Sequence, residues 1–556
     1  MVVSLNLNKQ SIRANVGDRN PKDSKKTSFK GLGEFVTNAL IASDRSPMIG
    51  VSIIDLCSMI CPRTVVDATR NGFAATETFL RESAGLIINC LIPSFVVYGV
   101  AKFLEKPVMG KDFSGIEASK FWANQNSNEF LTKVWQNSQG EGKERVRAFV
   151  ANVLDNIEGL QGTKWNKISS LADKKAIYED LANAIASNDK ELLGKTTDLL
   201  ISKLGASRNI RLVQDNMHKI PEALRGVNID FGLKSLTRDM KDMGGAFLKM
   251  SDDAVPAFSK KLTKLINRKS ALGLAVIVAA GASFQYFNRM LTKYRTGHDG
   301  FVGEADYVEQ LKKGKKIDKK EFCEKEKRKL NLHKLFGTLG MGMLAVLSFG
   351  KIPTRAMFQF NGMFPTMNQC RAISAVTYSG RIISSANDNE LKESALRDTC
   401  TFVNLYYLGD YVSKAFATVK EKVNPELAGK LLNHTKQLPE NANALTKFWY
   451  WFRHTEIKGF EELVNNPAVK RNRAYSQASG LLYSCIVLGL LVPLYNKYRT
   501  QKNGRARQKA LEIQKQNKIN DADKLYQKKV FTAFISDSKK ALLHEANFGR
   551  HNSKKQ

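Results

Sequence analysis

Residues 270–288, SALGLAVIVAAGASFQYFN, and residues 474–496, AYSQASGLLYSCIVLGLLVPLYN, decide the fold class. Neither stretch holds a charge, and both sit in the same basic frame. Asn267-Arg268 precedes the first and Asn472-Arg473 the second; Lys293-Tyr294-Arg295-Thr296 follows the first and Lys497-Tyr498-Arg499-Thr500 the second. At about 1.5 Å per residue, some 19 helical residues cover about 28 Å, close to the roughly 30 Å of bilayer hydrocarbon. The chain therefore reads as an all-α, polytopic helical membrane protein with a soluble helical region.

The repeated frame raises the expectation of an internal duplication. The two frames have nearly the same length, 26 residues from Asn267 to Lys293 and 25 from Asn472 to Lys497. Sliding one segment by 205 positions sets Ala271 on Ser476, Ala275 on Gly480 and Ala279 on Ser484. Small residues at four-residue spacing let helices approach closely in lipid, so these six are expected to form helix-packing faces. Two weaker echoes keep the same order along the chain. Leu80-Arg81-Glu82 is answered by Leu396-Arg397-Asp398, and Lys120-Phe121-Trp122 by Lys447-Phe448-Trp449. A division near 46–334 and 335–556 follows.

Two more apolar runs extend the membrane part. Ser83–Ala101 is uncharged and contains Pro93, a kink that transmembrane helices tolerate; Leu335–Gly350 is shorter and lies between Lys334 and Lys351, which can snorkel. Pro47–Cys61 carries Asp55 and is expected to end at Pro62 as an interfacial or half-inserted helix. Cys400–Leu408, followed by Asp410 and Lys414, is expected to be buried or interfacial. Seven regions result: a flexible polar arm (1–46), a first membrane region (47–104), a soluble helical region (105–268), a second membrane region (269–352) with a basic loop (289–334), a helical or interfacial region (353–473), a span (474–496) and a basic tail (497–556). In the soluble region Phe149, Val150, Val153, Leu154 and Ile157 recur at helical spacing.

Across 556 residues the formal charge is +33, with a mean hydropathy of −0.30. Only part of the chain can be embedded. The excess of Lys and Arg is concentrated beside the apolar runs, 14 against 8 acids over 289–334 and 16 against 5 over 497–556. Anionic lipid headgroups explain both the charge and the apolar runs, whereas nucleic acid explains the charge alone. The expected partners are therefore the bilayer with its anionic headgroups and a protein partner, nucleic-acid binding by the tail being the lesser reading. Trp449, Tyr450 and Trp451, beside Arg453, form either a headgroup-level anchor or a core aromatic cluster; Lys497 and Arg499 belong to the expected lipid surface. With four spans, both termini and both basic segments fall on the cytoplasmic side.

The motifs tested for chemistry are negative. Gly194-Lys195-Thr196 lacks the glycine five residues earlier that a phosphate loop needs, since position 189 is Asp. The seven cysteines and seven histidines show no metal spacing, and no nucleophile elbow occurs. No enzyme, cofactor or metal is expected. Asp55 and Asp410 are the candidate intramembrane carboxylates: a carboxylate at membrane depth marks an ion or proton path, or else a segment that does not span. Two function classes remain: a non-enzymatic membrane-anchored interaction or envelope-organising protein, and a transporter-like protein of two pseudo-symmetric halves.

Overall fold

The computed structural model describes residues 38–41, 43, 47–158, 165, 170–204, 210–212, 232–297, 324–349, 354–362, 364–434, 438, 442–460, 462–463 and 466–552. The polar arm up to residue 37 and the centre of the basic loop, 298–323, lie outside them. The fold is 84% helix and 2% strand. Among the described residues five helices are long and apolar enough to cross a membrane: Ile49–Ala68, Gly72–Met109, Ala254–Thr296, Lys327–Ser348 and Pro467–Asn503.

Helix α1 covers 47–68 and contains a π-helical segment at Asp55–Ile60. Pro62 does not end it. The N–H that Pro62 lacks would donate to the Ser58 carbonyl in an α-helix, and the π turn just before Pro62 absorbs that loss. Helix α2 (Gly72–Met109) opens on the cap Asn71, whose side chain accepts the Ala74 amide at 2.7 Å, and carries its own π segment at Ile87–Leu91.

The chain then builds a separate helical body from α3 (Gln125–Gln136), α4 (Gly142–Asp155), α5 (Leu171–Ala186), α6 (Lys190–Leu204) and α7 (Leu233–Phe247). A two-residue ladder, β1 (Ile157–Glu158) on β2 (Arg211–Leu212), ties it. Phe149, Val150, Val153, Leu154 and Ile157 are all fully buried in its core, together with Trp135, Trp165 and Phe258. Phe258 lies on α8 (Ala254–Thr296), whose first turns complete this core and whose remainder runs back along α2. Gly297, in the left-handed conformation, ends α8.

Helix α9 (Glu324–Ser348) leads to α10 (Met367–Ser384) and α11, which covers 388–423 with a π segment at Asn404–Leu408. A small ladder, β3 (Leu432–His434) on β4 (Thr455–Ile457), brackets α12 (Ala444–His454). Helix α13 covers 467–552 and has a π segment at Cys485–Leu491.

The packing follows a repeated scheme. Helix α2 packs on α8 as α11 packs on α13, while α8 packs on α10 as α1 packs on the π segment of α13. The α1–α2 and α10–α11 turns lie at one end of the bundle, and the α3–α7 body lies at the other.

Candidate ionic site at the seam of the bundle

Ten charged residues that water would normally hold are buried near the two turns. Five are arginines (Arg63, Arg70, Arg81, Arg381, Arg397) and five are acids (Asp67, Glu77, Glu82, Glu393, Asp398), none more than 9% exposed. Equal numbers matter, because a buried charge without a partner is far costlier than a buried pair.

Local sequence places each of them. On α2, Thr78, Arg81 and Glu82 share one face by helical spacing. Arg81 Nη2 donates to Thr78 Oγ1 at 3.1 Å, and its Nε lies 3.4 Å from Glu82 Oε1. On α11 the same bonds recur one for one: Arg397 Nη2 donates to Ser394 Oγ at 3.4 Å, and its Nε lies 3.1 Å from Asp398 Oδ1. The preceding helices each supply one more arginine, Arg63 to Glu82 at 3.4 Å and Arg381 to Asp398 at 3.1 Å.

Crossing contacts close the cluster. Arg381 Nη2 reaches Glu82 Oε2 at 3.7 Å. Arg63 donates to Thr401 Oγ1 on α11 at 2.8 Å and to the Leu488 carbonyl on α13 at 3.2 Å. Arg70 joins Asp67 and Glu393, both at 3.1 Å, and Thr500 Oγ1 donates to Glu393 at 2.6 Å. Asp398 Oδ2 and Arg381 Nε are buried without a hydrogen bond.

One sequence interval relates these positions. Adding 316 carries Asn71 to Asn387, Glu77 to Glu393, Thr78 to Ser394, Arg81 to Arg397 and Glu82 to Asp398. Asn387 also caps its helix, accepting the Glu390 amide at 2.8 Å. Sequence reasoning noticed the Leu-Arg-acid echo and missed the rest, although the shared interval was there to be found.

The expected packing residues divide. Ser476 and Ser484 are buried, and a Cβ on Gly480 would stand 2.4 Å from the Gly409 carbonyl oxygen, so that face lies hard against α11. Ala271, Ala275 and Ala279 instead lie on the exposed side of α8. Gly273 and Gly281 make the close approaches there, to Val97 on α2 and Thr377 on α10. Their counterparts on α13 are Gly480, against Ser413, and Gly489, against Ser58 and Pro62.

Asp55 is half-buried on α1, within the electrostatic reach of Glu82, Arg63 and Arg381. Asp410 is exposed on α11 and lines a cavity away from the cluster. The structure does not bring these two carboxylates together as one pair in the cluster. Of the lipid-surface candidates, Trp449 is 51% exposed, and no residue of α12 is buried. Trp451 Nε1 donates to Thr418 at 2.9 Å, while Tyr450 is half-buried. Lys414 donates to the carbonyls of Trp451, Phe452 and Thr455 and so holds the end of α12. Lys497 donates to Thr69 Oγ1 at 2.5 Å, and Arg499 is half-buried. Gly194, Lys195 and Thr196 lie inside helix α6, with Lys195 paired to Glu191 at 2.7 Å. Among the described residues no group of His, Cys, Asp or Glu is placed to hold a metal.

No family model matches the chain, and neither a curated protein nor a solved structure matches it.

Proposed function

We propose that the chain is a multi-pass membrane protein built from two copies of one three-helix unit, α1-α2-α8 and α10-α11-α13, and that the halves bind and pass a small molecule at their seam. The single observation behind this reading is the ionic cluster, in which α2 and α11 present the same bonds at one interval and the two halves meet through Arg381 of α10 and Glu82 of α2. Ionisable groups in a membrane bundle face its interior, pair with one another and mark transport paths, and transporters are commonly built from repeats with the binding site between them. Two of the helices of spanning length and apolarity, α1 and α2, carry cluster residues, and a third, α13, contributes Thr500 and the Leu488 carbonyl.

Counting α10 and α11 beside the five helices of spanning length and apolarity, this reading has seven helices along the bundle, so the chain enters at the end bearing the α3–α7 body and leaves at the opposite one. The basic loop after α8 and the basic tail share the exit end, which the positive-inside rule assigns to the cytoplasm. The N-terminal arm then lies across the membrane from the tail. This path differs from the four-span scheme, which needs both termini on one side.

A membrane-anchored interaction or envelope-organising role is the second reading. It is favoured by α13, which continues well beyond the bundle with Ile513, Leu525, Tyr526 and Phe531 exposed among basic residues. Neither reading assigns a catalytic residue, a cofactor or a metal. The deciding experiment is extraction of membranes with high salt and then alkaline carbonate. Retention in the pellet supports a spanning bundle; release by carbonate rejects it and returns the basic surface to nucleic acid.

A further inference from the structure

A cavity of about 840 Å³ opens in the helical body, between the 115–122 connection, the end of α5, the start of α6 and α7. That volume lies within the range of small-molecule sites. None of these segments belongs to a helix long and apolar enough to span, and no residue of the ionic cluster lines the cavity.

Its charge is uneven. Five cations line it, Lys120, Lys190, Arg238, Lys241 and Lys249, against two acids, Glu117 and Asp242. Both acids are committed, Glu117 to Lys120 at 2.5 Å and Asp242 to Lys241 at 3.0 Å. Lys241 also donates to Asn188 Oδ1 at 2.7 Å, and Arg238 pairs with the buried Asp239 at 2.8 Å. Lys190 and Lys249 are left. Both are exposed, and among the described residues neither ammonium makes a hydrogen bond or an ion pair. The acids near them in sequence line no part of the cavity. Asp189 accepts the Glu191 and Leu192 amides at 2.8 and 3.1 Å, Glu191 pairs with Lys195 at 2.7 Å, and Asp252 with Arg145 at 2.6 Å. Asp253 is exposed just before α8. Two positive charges therefore stand unanswered beside an apolar wall of Ile116, Ile185 and Leu193. An anion placed there gains Coulomb energy that a neutral or cationic molecule of the same shape does not.

We infer that this cavity takes a small phosphate monoester with an apolar body, the phosphate held by Lys190 and Lys249 and the body by Ile116, Ile185 and Leu193. A phosphate monoester carries a charge of about −1.5 to −2 at pH 7, which two ammonium groups match. The site belongs to the helical body and is independent of the reading of the two halves as a transport pair. The same group also occurs on a lipid, as a phosphatidate, so the test includes both sources.

The test uses the full chain, purified in a neutral detergent, with phenyl phosphate and benzylammonium as probes of like shape and opposite charge. Calorimetric titration should show phenyl phosphate binding to the unaltered protein about tenfold more tightly than to the double variant Lys190→Gln, Lys249→Gln, a change expected for two exposed ion pairs together. Both lysines are exposed, so the amides should leave the fold intact, and an unchanged melting curve verifies it. Lys133→Gln with Lys175→Gln removes the same charge from exposed positions of the body outside the cavity and should leave the affinity unchanged. A Cβ on Gly245, which lines the cavity, would meet nothing nearer than the Ile185 carbonyl oxygen at 3.9 Å. Gly245→Leu should therefore fold, keep the charge and still lower binding by occupying the space. Benzylammonium binding as tightly as phenyl phosphate overturns the inference. So does a Lys190, Lys249 variant that keeps its affinity, or a Lys133, Lys175 variant that loses as much. A short-chain phosphatidate that displaces phenyl phosphate at a lower concentration than phenyl phosphate itself binds would overturn the assignment to a small molecule. Carbonate extraction reads the membrane bundle without any ligand, so failure of one idea is separable from failure of the other.

Discussion

Glu82 Oε2 and Arg381 Nη2 stand 3.7 Å apart although 299 residues separate them in the chain. Glu82 also lies 3.4 Å from both Arg63 and Arg81. One carboxylate therefore serves three guanidinium groups from three helices. Removing it while leaving them buried should cost far more than the cluster's net contribution to stability.

Glu82→Gln is expected to destabilise the protein by about 3–5 kcal/mol. Thr401→Val, which removes a neutral partner of Arg63, should cost about 1–2 kcal/mol. Thermal unfolding in detergent ranks the two. Equal, small losses would mean that the cluster does not hold the halves together.

Gly480→Leu should prevent close packing of α13 on α11, because even a Cβ would stand 2.0 Å from Ser413 Oγ and 2.4 Å from the Gly409 carbonyl oxygen. Ala275→Leu lies on the exposed side of α8 and should change stability by no more than about 0.5 kcal/mol. Size-exclusion profiles and melting curves of the two variants check the contrast. A folded Gly480→Leu protein beside a disrupted Ala275→Leu one would reverse the assignment of faces.

Single cysteines placed at Ser114, beside the α3–α7 body, and at Asn517, on the extension of α13, should react with an impermeant maleimide from opposite sides of the membrane. Both positions are exposed. Labelling from one side only would remove the seven-helix path.

Lys414→Met keeps the aliphatic stem but takes away the ammonium that the three carbonyls at the end of α12 accept from. A loss of about 1–3 kcal/mol of local stability is expected. Hydrogen exchange across 444–457 should accelerate while the α3–α7 core stays protected. Uniform acceleration would instead indicate that Lys414 supports the whole bundle.

Helix content and four of the five span candidates were legible in the sequence because apolar runs and 3.6-residue periodicity report burial directly; Ile49–Ala68 was read as half-inserted because Asp55 and Pro62 interrupt its apolar run. The ionic cluster was not. Arg63 and Arg381 belong to short polar stretches that look like ordinary helix ends, and only the fold brings them to Glu82 and Asp398. The repeated Lys-Tyr-Arg-Thr frame led the α8 and α13 comparison slightly astray. Those motifs sit at the basic ends of the helices, where charge is wanted, whereas packing is governed by the smallest residues. Gly273 faces α2 as Gly480 faces α11, a register of 207 rather than 205. Between Gly281 and Gly489 it becomes 208, and the α13 π segment at Cys485–Leu491 supplies one added residue.

Helix α13 begins inside the bundle and runs unbroken to Asn552. At about 1.5 Å per residue, the stretch past Asn503 is roughly 70 Å long. Its Leu488 carbonyl is bonded to Arg63, so the root of this rod is fastened to the ionic cluster. A tilt of about five degrees at that root would sweep the far tip through roughly 6 Å, from the length above. Rearrangement among a few buried charges would thus be read out as mechanical displacement far from the helical bundle, with α13 as the lever and the guanidinium of Arg63 at its fulcrum.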